Sequence, residues 1–279
     1  MTLIIAERNN KHLSFSSDSR ISFGTHGFFD KGIKIFSVPF KLKGPATKKE
    51  DLGHYEFEHT YGMAIVGSST NANTVKDSIA ELLPYTTYLT NMSDFSIPSL
   101  GSIVFKIYKE ISEEITLIMG ANGLCEIIFG GFCLHQGRIR VLRFFFTVTG
   151  DKVEYNYEEI LQENNMLFFG SGKEVAAEIW NADRTLEPLQ ILKKVIMLEK
   201  DKKVGGALQF GAFYDKDFKV SGVIEKEVDQ NGFLIKSSKY RRGFLVEDEL
   251  KQLNQPPYLA FSYGYRPVNI KIEDEPKKE

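Results

Sequence analysis

Cysteine is nearly absent from this chain. Its 279 residues hold two, Cys125 and Cys133, both inside apolar runs and without C-x-x-C spacing. That excludes a disulfide framework and leaves buried thiols in a reducing compartment as the expectation. Long apolar runs are also missing. The opening LIIA is too short for a signal-peptide core, and no segment approaches the ~20 apolar residues that span a bilayer. Charge is balanced: Lys and Arg number 35 against 37 Asp and Glu. The sum gives no electrostatic reason to expect nucleic acid or an anionic membrane as partner. The five histidines (12, 26, 54, 59 and 135) show no metal-ligand pairing, and His54 and His59 read as loop residues at the surface. A cytoplasmic protein without metal or organic cofactor is the expectation.

What the chain does contain is a long alternation of strand and helix signals. TLIIAER and HLSFSSDSR around NNK read as a hairpin, and IKIFSV as a third strand ended by Pro39. Residues 40–60 are polar and read as a surface insertion. YGMAIVG is a short buried strand leading into a helix in which Val75, Ile79, Leu82 and Leu83 recur at helical spacing, closed by Pro84. A second helix is expected with Ile103, Ile107, Ile111, Ile115 and Ile118 on one face and Gly120 at its end. LCEIIFGGFCL and RIRVLRFFFTV follow as strands. MLFFG is a strand running into a helix at SGKEVAAEIW; another helix carries Leu189, Leu192 and Ile196, and GGALQFGAFY returns to a strand. Strand runs alternating with helix pairs predict stacked sheets with helices outside, in the α+β class. Residues 223–279 are more polar and read as a C-terminal extension, partly irregular, with a mobile charged tail.

The chemistry-bearing residues sit at the first strands. Thr2 follows the initiator methionine and is small enough for that methionine to be removed. A free N-terminal threonine carries a hydroxyl beside an amine titrating near ~8, so the amine can serve as base for its own side chain. The hairpin returns Asp18 toward Thr2, and a neighbouring third strand brings Lys34 alongside. A buried ammonium beside the hydroxyl stabilises a developing alkoxide, and a carboxylate orients that ammonium. Taken singly, Asp18 reads as a turn cap, Lys34 as a solvated strand residue and Ser171 as a helix N-cap.

Together, in order and at this spacing, Thr2, Asp18 and Lys34 resemble the proteasome β-subunits and their bacterial HslV-type relatives, which are N-terminal nucleophile (Ntn) hydrolases. MAIVGSSTNANTV resembles that family's strand, oxyanion turn and helix start, and MLFFGSGKEVA its Gly-Ser-Gly junction. KDKKVGGALQF resembles its Asp-x-x-Ser-Gly-Gly segment, with Val204 where the family has serine; Asn71 stands where an Asp is usual. The resemblance covers about residues 2–222. It implies a four-layer αββα sandwich of two antiparallel sheets flanked by helices. It also implies catalytic roles for Thr2, Asp18, Lys34, Gly67 (oxyanion N–H), Ser171 and Asp201, with Arg20 and Ser22 where substrate backbone binds. The implied activity is threonine-type hydrolysis of peptides or unfolded protein by a ring-forming homo-oligomer, with a ring-shaped ATPase unfoldase among the partners the family uses. A small-molecule amidase and a non-catalytic scaffold subunit on the same fold are the alternatives.

Overall fold

The computed structural model describes residues 2–10, 12–23, 27–44, 55–87, 94–150, 152–198, 202–229, 231–246 and 264–271. Its first third runs β1 (Leu3–Asn9), β2 (His12–Asp18), the short β3 (Ile21–Ser22) and β4 (Phe28–Phe29), β5 (Ile35–Lys43) and β6 (Phe57–Gly67). Helix α1 (Ser69–Leu82), β7 (Thr86–Thr87) and α2 (Ile97–Met119) follow. Then come β8 (Cys125–Cys133), β9 (Arg138–Thr149), β10 (Lys152–Ile160) and β11 (Asn165–Gly170). After helices α3 (Lys173–Ala182) and α4 (Pro188–Met197) the chain forms β12 (Leu208–Tyr214), β13 (Asp217–Val228), β14 (Leu234–Arg241), β15 (Phe244–Leu245) and β16 (Tyr265–Lys271). Among the described residues, no helix is long and apolar enough to cross a membrane.

Two large sheets result. One is ordered β11-β1-β2-β12-β13-β14-β15 with β16 also on β13; the other is ordered β10-β9-β8-β6-β5-β7. Pairing is antiparallel throughout both except where β16 runs parallel to β13 and β7 parallel to β5, a departure from purely antiparallel sheets.

The burial of β1 explains its sequence. Leu3, Ile4, Ile5 and Ala6 are all fully buried. Leu3 and Ile5 join Ala176, Leu189 and Leu192 of α3 and α4 on one side. Ile4 and Ala6 join Ala64, Ile128 and Val141 of the second sheet on the other. A strand covered on both faces reads as a continuous apolar run, because neither parity can be polar. On its far side, the second sheet packs Tyr61, Phe129 and Phe144 against Val75 and Ile79 of α1 and Val104 and Tyr108 of α2.

Several sequence expectations change here. Pro39 does not end β5, which continues to Lys43. Opposite Thr60 of β6, Pro39 needs no second ladder partner, since β7 pairs only with Leu42 and Lys43, and an unpaired edge tolerates a missing N–H. Residues 40–43 and 57–60 are therefore strand, and 45–54 lie outside the described residues. His59 is half-buried in β6, its Nδ1 3.0 Å from Asp217 Oδ1, whereas His54 lies outside the described residues. In α2 the fully buried row is Leu100, Val104, Tyr108 and Ser112; of the expected row, Ile107 and Ile111 are partly buried against the core, while Ile103 and Ile118 face solvent. Both rows have i, i+4 spacing and adjoin one another on the helix, so the core-facing side takes all of one and the middle of the other. KVEYNYEEI, not among the expected strands, forms β10 along β9. Two short strands, β3 and β4, precede the third strand expected of the chain. Strand β13 runs unbroken across residue 222, where the resemblance stops.

Candidate active site

The site is built at one end of both sheets, on the chain that enters β1 and β5 and leaves β2. Asp18 is the last residue of β2 and is fully buried. Its Oδ1 accepts the Thr2 hydroxyl at 2.8 Å, the Leu3 N–H at 3.0 Å and the Lys34 ammonium at 2.8 Å. Its Oδ2 accepts the N–H groups of Gly205 at 3.0 Å and Arg20 at 3.2 Å. Five donors converge on one carboxylate in a dry place, which fixes its orientation and supplies what water would have given.

Lys34 stands immediately before β5 and is 4% exposed. Burial pushes its ammonium below the usual lysine range, and the Asp18 carboxylate opposes that shift. Its backbone is tied to both sheets. The N–H donates to Gln209 Oε1 on β12 at 3.1 Å, and the carbonyl accepts the Ile65 N–H of β6 at 3.0 Å. Gln209 is 2% exposed and also donates to the Gly32 carbonyl at 2.5 Å. It was not singled out in the sequence, although an amide alternating among apolar residues in LQFGAFY is a readable signal of a buried polar task.

The structure thus brings Thr2, Asp18 and Lys34 into contact. The remaining sequence-derived residues fall into different places. Gly67 ends β6, two residues beyond the Ile65 that binds Lys34, is exposed and has φ +89°. A side chain there would collide with the Leu124 carbonyl, so glycine is required. Gly170 pairs with Leu3, and a Cβ at Gly170 would run into the Thr2 carbonyl.

Ser171 is exposed at the turn, makes no side-chain hydrogen bond among the described residues, and is not the N-cap of α3; Gly172 holds that position. Val204 is 3% exposed and packs in the apolar cluster with Leu3. Arg20 turns back to Asp30 in a two-pronged pair of 2.6 and 2.8 Å and donates to the Lys202 carbonyl at 2.9 Å. Ser22 pairs with Phe28 in the β3–β4 ribbon. Asp201 lies outside the described residues.

One contributor comes from far along the chain. The β14–β15 turn lies against the back of this wall. A Cβ on Gly243 would touch Ser19 and Lys31, and Arg242 donates to the Ile35 carbonyl at 3.1 Å and stands over the Phe36 ring at 5.7 Å. No local motif marks Arg242; the separation of 207 residues hides it.

Two stacked sheets, with a threonine, a carboxylate and a lysine assembled where β1, β2 and β5 meet, make a proteasome-like fold. Solved structures similar to it include several of Anbu. The helical assembly of the Anbu complex from Pseudomonas aeruginosa matches with a TM-score of 0.53 at 14% identity, over 92% of this chain and 98% of that one. Anbu (ancestral beta-subunit) from Yersinia bercovieri matches with a TM-score of 0.52 at 16% identity, over 93% and 100%. An Anbu Gly-1 mutant from Hyphomicrobium sp. strain MC1 matches with a TM-score of 0.51 at 14% identity, over 93% and 100%. No protein-family model and no curated protein matches the sequence. At such identity the likeness is one of fold, and residue roles rest on the geometry above.

Proposed function

We propose that the chain is a threonine-type Ntn hydrolase that cleaves peptide bonds through Thr2 once Met1 has been removed. The observation that carries this reading is the contact of the Thr2 hydroxyl and the Lys34 ammonium with the same buried oxygen of Asp18. The three stacked apolar clusters support reading the fold as a four-layer αββα sandwich. In the proposed reaction Thr2 Oγ attacks the scissile carbonyl carbon, and its proton passes to the freed α-amine, directly or through a water. The oxyanion is received by the Gly67 N–H and faces the positive charge of Lys34. Collapse expels the amine product, which takes the proton, and water then cleaves the Thr2 ester. Asp18 holds Lys34 and the hydroxyl in place and does not itself react.

Gly170 keeps the chain clear of Thr2 and Gly172 keeps it clear of Leu3 and Val204, and Ser171 is the polar side chain of that turn proposed to serve the amine. The buried Val204 removes a second polar contact and favours the other reading, a non-catalytic scaffold subunit. Assembly into a homo-oligomer, with peptides or unfolded chains as substrate, belongs to the same proposal. The helical assembly named for the Pseudomonas aeruginosa neighbour supports it.

The test combines intact mass of the native-start protein with turnover of fluorogenic peptides by wild type and Thr2→Ala. Loss of one methionine and a drop of about a thousandfold or more in kcat for Thr2→Ala are expected. A retained Met1, or undiminished activity in Thr2→Ala, sinks the hydrolase in favour of the scaffold.

A further inference from the structure

Beyond residue 222 the first sheet outgrows the second. Phe218 of β13 is buried between the sheets. Alternation along the strand puts Ile224 and Lys226 on that same inner face, and both are only partly buried. Ile224 lies opposite Lys239 of β14, and Lys226 opposite Ser237. At the hairpin end a register shift at Glu227/Val228 sets Val228 against Leu234 and leaves Ile235 as the extra residue of a bulge. Phe233, Leu234 and Ile235 are 72%, 58% and 59% exposed. Nearly every residue of β14 is exposed on both of its faces. This end of the sheet is therefore an apolar and basic surface, with Ile224, Ile235, Lys226 and Lys239 on one side and, among the described residues, no second sheet over it.

The same chain carries a surface of opposite character. The outward face of α2 presents Glu110, Glu113 and Glu114, all exposed, and then turns apolar. Leu117 and Ile118 are 87% and 84% exposed, one turn beyond Glu113 and Glu114. Lys109 reaches Glu113 at 3.7 Å, which leaves Glu110 and Glu114 as the acidic edge of that patch. Apolar residues bordered by carboxylates on one surface and by lysines on the other are the pattern of a self-recognising pair.

We infer that the β13–β14 arm docks, through Ile224, Lys226, Ile235 and Lys239, on the C-terminal half of α2 in a second copy of this chain. The two patches are different, so each copy offers one of each, and the contact is head-to-tail: it builds a ring if its rotation closes and an open helix if it does not. The inference rests on the assembling-subunit part of the proposed function and is independent of hydrolysis. A polyanion is the weaker occupant, because the lysines are interleaved with large apolar side chains and the chain as a whole is slightly acidic.

The experiment is sedimentation velocity of the full chain and of two charge reversals, Lys226→Glu/Lys239→Glu and Glu110→Lys/Glu114→Lys. Wild type is expected to assemble, and each reversal to shift the distribution to single chains while keeping the wild-type circular dichroism and thermal midpoint. An equal mixture of the two reversals restores complementary contacts in alternation and should reassemble. A wild type that remains monomeric at its highest soluble concentration overturns the inference. So do reversals that assemble normally, and so does a mixture that stays dissociated. Binding of DNA or anionic vesicles by a monomeric wild type would reassign the basic face to polyanions.

Discussion

The first sheet contains two hairpins of opposite make. In β1–β2 almost every residue is buried, and the polar ones on β2, Ser14, Ser16, Ser17 and Asp18, are small. In β13–β14 the outer strand is exposed on both faces and carries large apolar and basic side chains together. The first hairpin is held by helices on one side and a second sheet on the other, so it can place Thr2 and Asp18 with little play. In the second, β13 still packs Val223 with α3 and α4, but among the described residues no second sheet covers β14, whose exposed Leu234, Ile235 and Lys239 can meet another molecule. Rigidity and recognition are thus assigned to opposite halves of one sheet, a division that proteins commonly make between site and interface.

The contrast breaks most severely at Asp18. Asp18→Asn keeps the shape but leaves the Lys34 ammonium buried without its counter-ion, a loss of about 3–5 kcal/mol in unfolding free energy by analogy with other broken buried pairs. The pH dependence has a definite sign. Lys34 already titrates below the ordinary lysine range of ~10.4 because it is buried. Between its folded value and the unfolded one the unfolded chain binds more protons, so stability rises with pH across that window. Removing Asp18 deletes the group that opposes the shift and extends the window downward. Denaturant titrations of the variant should therefore recover part of the lost stability as pH is raised toward 10. A variant whose stability is flat with pH would mean that Lys34 is not the group left exposed to desolvation.

A smaller effect, about 1–3 kcal/mol, is expected of Arg242→Ala, which withdraws a charged donor from the Ile35 carbonyl. Arg242 is where the β14–β15 turn touches β5, the strand that begins directly after Lys34. As a positioning residue it should lower kcat more than it raises KM, and Arg242→Lys should rescue part of the loss. Equal losses in kcat and in folded fraction would reduce its part to stability alone.

Much of this could be read from the residues. LIIA announces a strand covered twice, and the return of a hairpin is enough to bring Asp18 back to Thr2. Helix α1 follows from Val75 and Ile79, with Pro84 in the turn that ends it. What could not be read shares a physical cause, distance along the chain. The Gly205 N–H reaches Asp18 across 187 residues and Arg242 reaches Ile35 across 207, and nothing local encodes either contact. In β10, Glu154 and Glu158 are exposed and Glu159 pairs with Arg140 on a strand whose Tyr155 and Ile160 are buried, so its charge does not show the strand. In α2 two rows share one spacing, and periodicity has no means of choosing between them. Lys34 as a solvated residue fails for a related reason: its backbone is held by Gln209 and Ile65 from two other strands, and its buried ammonium meets Asp18.

The mildest test separates the hairpins by what their isoleucines do. Ile4 is fully buried between the sheets, and Ile4→Ala should cost about 2–5 kcal/mol. Ile235, at 59% exposure, has little packing to lose within its own chain. Ile235→Ser should therefore change the unfolding free energy by no more than about 0.5 kcal/mol, the usual range for a surface substitution. It removes apolar area from the arm, so any change it makes should appear in association between copies and depend on protein concentration. A fall in stability comparable to that of Ile4→Ala, independent of concentration, would mean that the arm is packed like the rest of the sheet. The division between a rigid hairpin and a recognising one would then be lost.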